Sequence, residues 1–523
     1  MEQKNYQNWY LPETGAKLIS YDQLIAELLA PAGEYKKPGM DKAFIFSLLS
    51  KISSASENYF GPTFGWIAGG EKQPLPLKWL PIIDYLYKEN LIERLFFDKF
   101  FHDEPRIIQA IIVAAFDKIM NDSDGRRPRN TRFAIGRTLN INESVAKCLG
   151  EFLERFPLII YKEKDFLRSS VKDLAKARRS FINIDKLAGF SEKQKSINSR
   201  LEYDENSQFL WLEGESLFRK GPILIPSQLV FWNYKFDHQS WMESYLREAN
   251  TNGAGGHCSL ARAILSGIYE LAQRDGFLIY WLNHQAPPKI NLDVIDSRPL
   301  KEFLDECSRL GFEIEFFNTT SNLGIPSCIC AVYDHSSVGP KLTFGGGCSF
   351  NWEKILTESL IEAMAIESWT RRRLINLPEV RRSLREQYIP HQDRTIDQAG
   401  RMNIWAEEKM FKNFDFFRKG KQIFLSELKK EFPRLKTPEE ELEWLVKDFK
   451  NLGEDYEIFY YQAKHKALDD LGYFSVKVII PPLVTLYLRE NYAPLGAKRL
   501  KEVPEKLGFR PAKEWNPWPH PFP

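Results

Sequence analysis

The 523-residue chain has no CxxC pair, no cysteine–histidine array at zinc-finger spacing, no apolar run long enough to cross a bilayer and almost no excess of charge. Each absence excludes something. Without paired ligand spacing, Cys148, Cys258, Cys307, Cys328, Cys330 and Cys348 read as reduced thiols rather than a zinc site or a disulfide framework, which places the chain in the cytoplasm. The most apolar windows, IIQAIIVAAF and VKVIIPPLVTLYL, are too short or too broken by proline to span a membrane, and the N-terminal MEQKNYQNWY is too polar for a secretory signal. With 72 basic against 70 acidic side chains, a formal charge of +2, no global field draws the protein to nucleic acid or to an anionic lipid surface. What is present suits a globular fold. A content of 43% hydrophobic and 14% aromatic residues is enough for a large core, in one big domain with an attachment or in a few smaller ones.

Residues 1–105 mix short amphipathic helical patterns (YDQLIAELL, DKAFIFSLLSKI, LPIIDYLYKENLIERLFF) with a turn-rich centre, and read as a mainly helical N-terminal region without recognisable chemistry. From Arg106 the pattern changes. Arg106 to Phe116 reads as a buried strand feeding a polar loop, Asp122 to Arg129, whose RRPRN patch is a solvated loop or else brings Arg126 or Arg127 to a substrate phosphate. Residues 170–206 are charged and aperiodic, an exposed helix and linker, and the strand-like patches FLWLEG and PILIPSQLVFWNY come next. The stretch from Leu292 to Asp334 alternates loop, helix, strand, loop and strand, so the expected fold class is α/β, a mixed α+β core. Cys328 and Cys330, two apart on the last of these strands, face one side of a sheet. Helices are expected over Leu377 to Leu452, then the strand YFSVKVIIPPLV.

Three stretches share a pattern. In Arg247 to Asn283, Gly253, Gly255 and Gly256 form a glycine-rich loop, Ser259 stands at a helix N-cap, and the helix buries Ala263, Ile264, Gly267, Ile268 and Leu271 while leaving Glu270, Gln273 and Arg274 on another face. Loop amides and a helix N-terminus attract phosphate. A helix from Asn142 sets Val145, Leu149, Phe152 and Phe156 on one side and Glu151, Glu154 and Arg155 on the other. Aligning GEFLERFPLIIY with YELAQRDGFLIYW puts Glu151 over Glu270, Glu154 over Gln273 and Arg155 over Arg274, the mark of a duplicated unit. The third stretch, KLTFGGGCSFNWEKILTESLIEAMAIESWTRRR, leads a glycine run into a helix with Glu358 and Glu362 one turn apart and Glu367 one turn before Arg371. Taken singly, each reads as an ordinary solvated helix behind a turn. Their repetition supplies what Mg²⁺ and phosphate need together: hard carboxylate oxygens, amides and arginines.

At the far end, Pro517, Pro519, Pro521 and Pro523 alternate with other residues, which forbids helix and favours a stiff extended rod. Such a rod is a free tail or a ligand for another module, although Trp515, Trp518 and Phe522 favour packing.

The two ExxER-like helices, the NTNGAGGH loop, the glycine-led third helix and the terminal PHPFP together resemble a YcaO-domain protein over Arg106 to Pro523. More narrowly, the chain resembles the D component of the thiazole/oxazole-modified microcin cyclodehydratases. The resemblance implies a YcaO-type fold with mixed sheets and repeated strand/helix units over 106–523, a proline-rich tail over 515–523, and an N-terminal region 1–105 of unassigned role. It implies an ATP-dependent peptide cyclodehydratase that converts Cys, and in some members Ser or Thr, of a ribosomal precursor peptide into thiazoline or oxazoline through phosphorylation of the backbone amide oxygen. Glu151, Glu154, Glu270 and Glu362 would hold Mg²⁺. Arg137, Arg155, Thr251, Asn252, Gly253 and Arg274 would bind ATP, and Pro519, Pro521 and Pro523 would order the tail at the active site. The implied partners are the precursor peptide, a separate ubiquitin-activating-like protein that binds its leader, a flavin dehydrogenase and a second copy of the chain in a homodimer. Four positions depart from the family pattern: Gln273 where a second Glu is usual, Arg137 where Lys is common, Thr251 for Ser, and Ala365 where Gln is frequent. Gln273 and Ala365 favour a second reading, a catalytically weakened YcaO scaffold that binds peptide or a partner protein.

Overall fold

The computed structural model describes residues 77–98, 104–121, 123–128, 132–336, 338–376, 398–429 and 435–522, with two short strands at Trp9–Tyr10 and Lys17–Leu18. The helices expected of YDQLIAELL and DKAFIFSLLSKI, and Pro523, lie outside the described residues. The chain divides into two compact units: Met1–Lys99 with Ile108–Lys118 and Asn130–Leu149, and Phe100–Ile107 with Ile119–Arg129 and Gly150–Pro523.

In the first unit LPIIDYLYKENLIERLFF is not the single helix its apolar content suggests. Helix α1 (Leu80–Lys88) ends, Asn90 turns the chain with a φ of 55°, and Ile92–Asp98 continues as strand β1. The polar Lys88–Asn90 stretch interrupts the helical spacing, and asparagine tolerates the left-handed turn. Strand β1 pairs with β2 (Ile108–Ala114), buried along its whole length as expected, and β2 with β3 (Arg132–Thr138), giving an antiparallel sheet β1-β2-β3. Helix α2 (Ile141–Arg155) starts here and ends in the second unit. It lies so close over β3 that a Cβ on Gly136 would meet the Ser144 carbonyl at 1.8 Å.

The second unit holds two sheets. One runs β4-β5-β13-β14-β7, with β6 against β5, from strands β4 (Leu167–Ser170), β5 (Gln208–Ser216), β6 (Gly221–Pro226), β7 (Ala254–His257), β13 (Phe459–Gln462) and β14 (Phe474–Ile479). The other runs β11-β10-β9-β8-β12, from β8 (Lys289–Asn291), β9 (Phe312–Asn318), β10 (Ser327–Asp334), β11 (Thr343–Cys348) and β12 (Gln422–Phe424), and is mixed because β8 and β12 pair in parallel. Cys328 and Cys330 are buried in β10. Helices α3 (Leu260–Leu282), α4 (Arg298–Arg309) and α5 (Trp352–Asn376) pack on these sheets, while α6 (Gln398–Trp405) packs on α5, and α7 (Pro438–Leu452) and α8 (Arg499–Lys506) pack on α3.

Helix α3 is packed by both sheets. On one side a Cβ at Gly255 of β7 would meet the Ala263 carbonyl at 2.0 Å; on the other Phe277 packs edge-on against Phe344 of β11, 6.0 Å between centroids. A helix enclosed in this way needs an apolar surface nearly all round, and most of α3 is buried. Ser259 caps it as expected, its side chain accepting from the Arg262 N–H.

The same close packing corrects the expectation of a glycine-rich loop over Gly253, Gly255 and Gly256 and makes the second glycine run a strand as well. AGGH and TFGGGC are strands β7 and β11. Along β11, Gly345 and Gly347 press on α5, where added Cβ atoms would meet the Ser359 and Ile355 carbonyls at 2.1 and 2.5 Å, while Gly346 presses on α3. The glycines are there because helices approach both faces of the strand. Only Gly253, with a φ of 82°, turns the chain.

Candidate active site

The turn Thr251–Gly253 leads into β7 and is closed by the Ala254 N–H donating to the Thr251 carbonyl at 2.8 Å. Gly253 is required twice over, by its positive φ and because a Cβ would lie 2.3 Å from the Val478 carbonyl. Its N–H donates to the Glu270 carboxylate of α3 at 2.7 Å, and Arg274, one turn further on, lies 3.6 Å from the other Glu270 oxygen. Glu270 stands eleven residues into the helix, roughly 16 Å from its start at a rise of about 1.5 Å per residue. The cluster therefore sits beside the middle of α3, not at the helix N-terminus that the glycine-loop reading invoked.

At the end of α2, Glu151 and Arg155 pair at 2.6 Å. Burial pushes the neighbouring Glu154 carboxyl up to about 8; Arg155 pulls it down, and Glu270 and Glu151 add to the rise. Arg155 stays above its ordinary range despite burial, because Glu151, Glu154 and Glu270 all favour its charge. From β14, the buried Lys477 donates to the Asn250 carbonyl at 2.6 Å. Burial lowers it to about 7 against the pull of Glu270 and Glu154. The side-chain amides of Asn250 and Asn252 both donate to the Leu486 carbonyl, at 2.9 and 3.0 Å, so Asn252 supports the turn from behind.

Two features suit a nucleotide with a divalent cation. Arg274 has Nε and Nη1 buried without a partner, a state that costs about 1–3 kcal/mol per group until an acceptor arrives. Burial, with Glu270 and Glu151 adding to it, disfavours charge on Glu154, and a bound cation would oppose both. Among the described residues, no three acidic, histidine or cysteine side chains converge at metal-binding distance. Of the carboxylates, Glu151, Glu270 and Glu362 are each engaged by a donor of the protein itself.

Helix α5 contributes Glu362, whose carboxylate accepts the Gly346 N–H at 2.7 Å. Glu367 is instead committed to Arg371 at 2.8 Å, which also holds Asp334 at 3.0 Å. Gln273 stands beside Glu270 and Arg274, for Gly346 approaches both its side chain and Phe522, the ring that lies under Arg274. Gln273 is buried over β11, its Nε2 without a partner and 1.4 Å from where a Gly346 Cβ would be. Ala365 is buried in α5. Arg137 lies in the first unit, on β3, with its Nε donating to Gln109 at 3.2 Å.

The tail returns to this cluster. The indole N–H groups of Trp281 and Trp405 donate to the carbonyls of Trp518 and Pro519 at 3.2 and 2.9 Å, and His520 is buried against Arg401 Nη1 and the Tyr487 carbonyl at 3.0 and 3.1 Å. The Phe522 ring then lies 4.2 Å under the Arg274 guanidinium. Pro521 is buried between them.

The sequence pattern did not single out Lys477, Asn250, Arg401 or His520. Lys477 leaves a trace, a lone charge in the apolar strand SVKVII, which burial obliges to find a partner. The partners themselves lie more than two hundred residues away.

With this geometry in hand, comparison with known proteins is informative. The sequence model of a family described as YcaO cyclodehydratase, ATP- and Mg²⁺-binding, matches residues 135–484. A heterocyclase solved in complex with substrate and cofactor superposes with a TM-score of 0.63 at 18% identity, covering 83% of this chain and 55% of that one. The heterocyclase TruD gives 0.51 at 19% identity, over 73% and 51%. YcaO from Methanopyrus kandleri, bound with AMPPCP and Mg²⁺, gives 0.54 at 15% identity, over 80% and 92%. At these identities the likeness establishes the mixed α/β fold, and the chain spans about half the length of either heterocyclase. Among the described residues no helix is long and apolar enough to cross a membrane.

Proposed function

The chain belongs to the YcaO family of ATP- and Mg²⁺-binding cyclodehydratases, and from that premise we propose that it forms thiazoline or oxazoline rings in a ribosomal precursor peptide. The side-chain thiol of Cys, or hydroxyl of Ser or Thr, gives up its proton and attacks the preceding carbonyl carbon. The former carbonyl oxygen takes the terminal phosphoryl group of ATP, releasing ADP, and departs as phosphate while the amide nitrogen loses its proton and closes the C=N bond. An amide oxygen is a poor leaving group, so phosphorylation supplies the driving force and the protein supplies position and charge.

In this reading Glu151, Glu154, Glu270 and Glu362 hold Mg²⁺, which neutralises phosphate charge when bound. Arg155 and Arg274 hold the phosphates, and the Thr251–Gly253 turn fixes Glu270 through the Gly253 N–H. Pro519, Pro521 and Pro523 stiffen the tail that brings Phe522 to Arg274. The observation that carries the reading is Arg274, a buried guanidinium with two unpartnered nitrogens one turn from a carboxylate. The partners that go with it are a separate ubiquitin-activating-like, leader-binding protein, a flavin dehydrogenase and a second copy of the chain.

The test is mass spectrometry of a Cys-rich precursor incubated with the protein, its leader-binding partner and Mg-ATP. Loss of one water per ring, matched by phosphate release, is expected. Gln273, buried over Gly346 where a carboxylate would serve a metal, favours the weakened scaffold as the second reading. Absence of both products with a functional partner establishes that second reading.

A further inference from the structure

A cavity of about 200 Å³ in the second unit plays no part in the nucleotide cluster. Arg126, Arg127 and Arg489 line it beside Trp232, Tyr234 and Tyr245, and no acidic side chain does. Its cations are held in place. The Arg126 N–H donates to the Asn233 carbonyl and the Asn233 side-chain amide donates back to the Arg126 carbonyl, both at 2.9 Å, which pins the loop. Arg489 Nε donates to the buried Glu248 at 2.7 Å, and its guanidinium lies 4.3 Å over the Tyr492 ring. Around the rim, Asp237 is shared between Arg126 at 3.3 Å and Arg200 at 2.9 Å, so one carboxylate answers two guanidinium groups.

The cavity is also tied to the reacting end of the molecule. Ala249 forms part of its wall, and from there to Gly253 the backbone spans at most roughly 14 Å, at about 3.5 Å per residue. Arg489 stands three residues after Leu486, whose carbonyl holds Asn250 and Asn252. A peptide anchored in the cavity would thus have its neighbouring amides within a few residues of Glu270 and Arg274. Arginines set among aromatic rings match a carboxylate on an apolar stem.

We propose that this cavity binds a carboxylate of the substrate peptide, from an acidic side chain or the C-terminus, and so sets which backbone amide reaches the nucleotide. The inference rests on the peptide-modifying function proposed above.

Calorimetry of the full chain without nucleotide, using short synthetic peptides, tests it. The probes are a Glu-containing peptide amide, its Gln counterpart, and the Gln peptide with a free C-terminus. Binding by the first or the third, but not by the Gln amide, is expected, and which of the two binds identifies the source of the carboxylate. The exposed pair Arg126→Gln with Arg127→Gln should weaken that binding about tenfold while Mg-ATP binding is unchanged. Equal binding of the Gln amide, or loss of Mg-ATP binding in the double variant, overturns the proposal. No turnover is measured, so an inactive peptide-binding scaffold still passes, and failure here leaves ring formation to its own assay.

Discussion

Helices α3 and α5 meet their strands in the same way. In each, a helix carboxylate accepts the N–H of a glycine at 2.7 Å, Gly253 to Glu270 and Gly346 to Glu362, and a glycine one or two positions away lets strand and helix backbones touch. One turn later the two helices differ. After Glu270 comes Arg274, 3.6 Å away, whereas after Glu362 come the buried Ala365 and Ile366. The shared part belongs to folding. The difference belongs to chemistry: α3 follows its carboxylate with a cation one turn on, while α5 follows Glu362 with apolar residues.

The largest expected effect tests the shared part. Gly255→Ala and Gly345→Ala each drive a Cβ into a helix carbonyl, at 2.0 and 2.1 Å, and should each cost about 3 kcal/mol or more, read as lost soluble yield or a lower melting temperature. Gly346→Ala meets the Gln273 side chain and, at 2.9 Å, the Phe522 ring rather than backbone, and should cost less, about 1–2 kcal/mol. A large cost at one strand and none at the other would break the equivalence.

The difference between the helices is tested by charge. Glu270→Gln should lower ATP-dependent ring formation about a hundredfold and Glu362→Gln about tenfold, with melting unchanged. Equal losses would remove the asymmetry.

A smaller effect concerns the tail, which docks on α3. Burial, with Arg401 beside it, holds His520 well below its ordinary value of 6.5. The folded state favours the neutral ring, so docking is complete above about 6.5 and weakens as pH falls below it. Carboxypeptidase trimming should therefore speed up between about pH 7 and pH 5, and His520→Gln should flatten that dependence. Trimming that speeds up with rising pH would reverse the assignment. The least change is expected of Gln273→Glu, which should tighten Mg²⁺ binding a few-fold, about three, if the position still faces the metal. No change would confine Gln273 to packing on β11.

These contrasts also show which parts were legible in the sequence. The Ser259 cap and the burial of Ala263, Ile264, Gly267, Ile268 and Leu271 depend on local spacing and are visible there. The strands AGGH and TFGGGC are not, because glycine serves a turn and a close backbone approach equally well, and the helix that decides between them lies further along the chain. The burial of Gln273 is hidden for a related reason. Spacing assigns polar residues to an open face, and α3 has little open face, so Gln273 is covered by β11. The Asn90 break, which ends α1 and starts β1, is hidden because IERLFF continues a helical spacing until a neighbouring strand claims it.

The central claim is that Glu270 and Arg274 form the core of a nucleotide–metal site. The most direct test is equilibrium binding of a non-hydrolysable ATP analogue to the whole chain, with and without Mg²⁺, beside Glu270→Gln and Arg274→Gln variants of unchanged melting temperature. The account predicts binding that requires Mg²⁺ and weakens about tenfold or more in either variant. Binding at full affinity in both variants would contradict it.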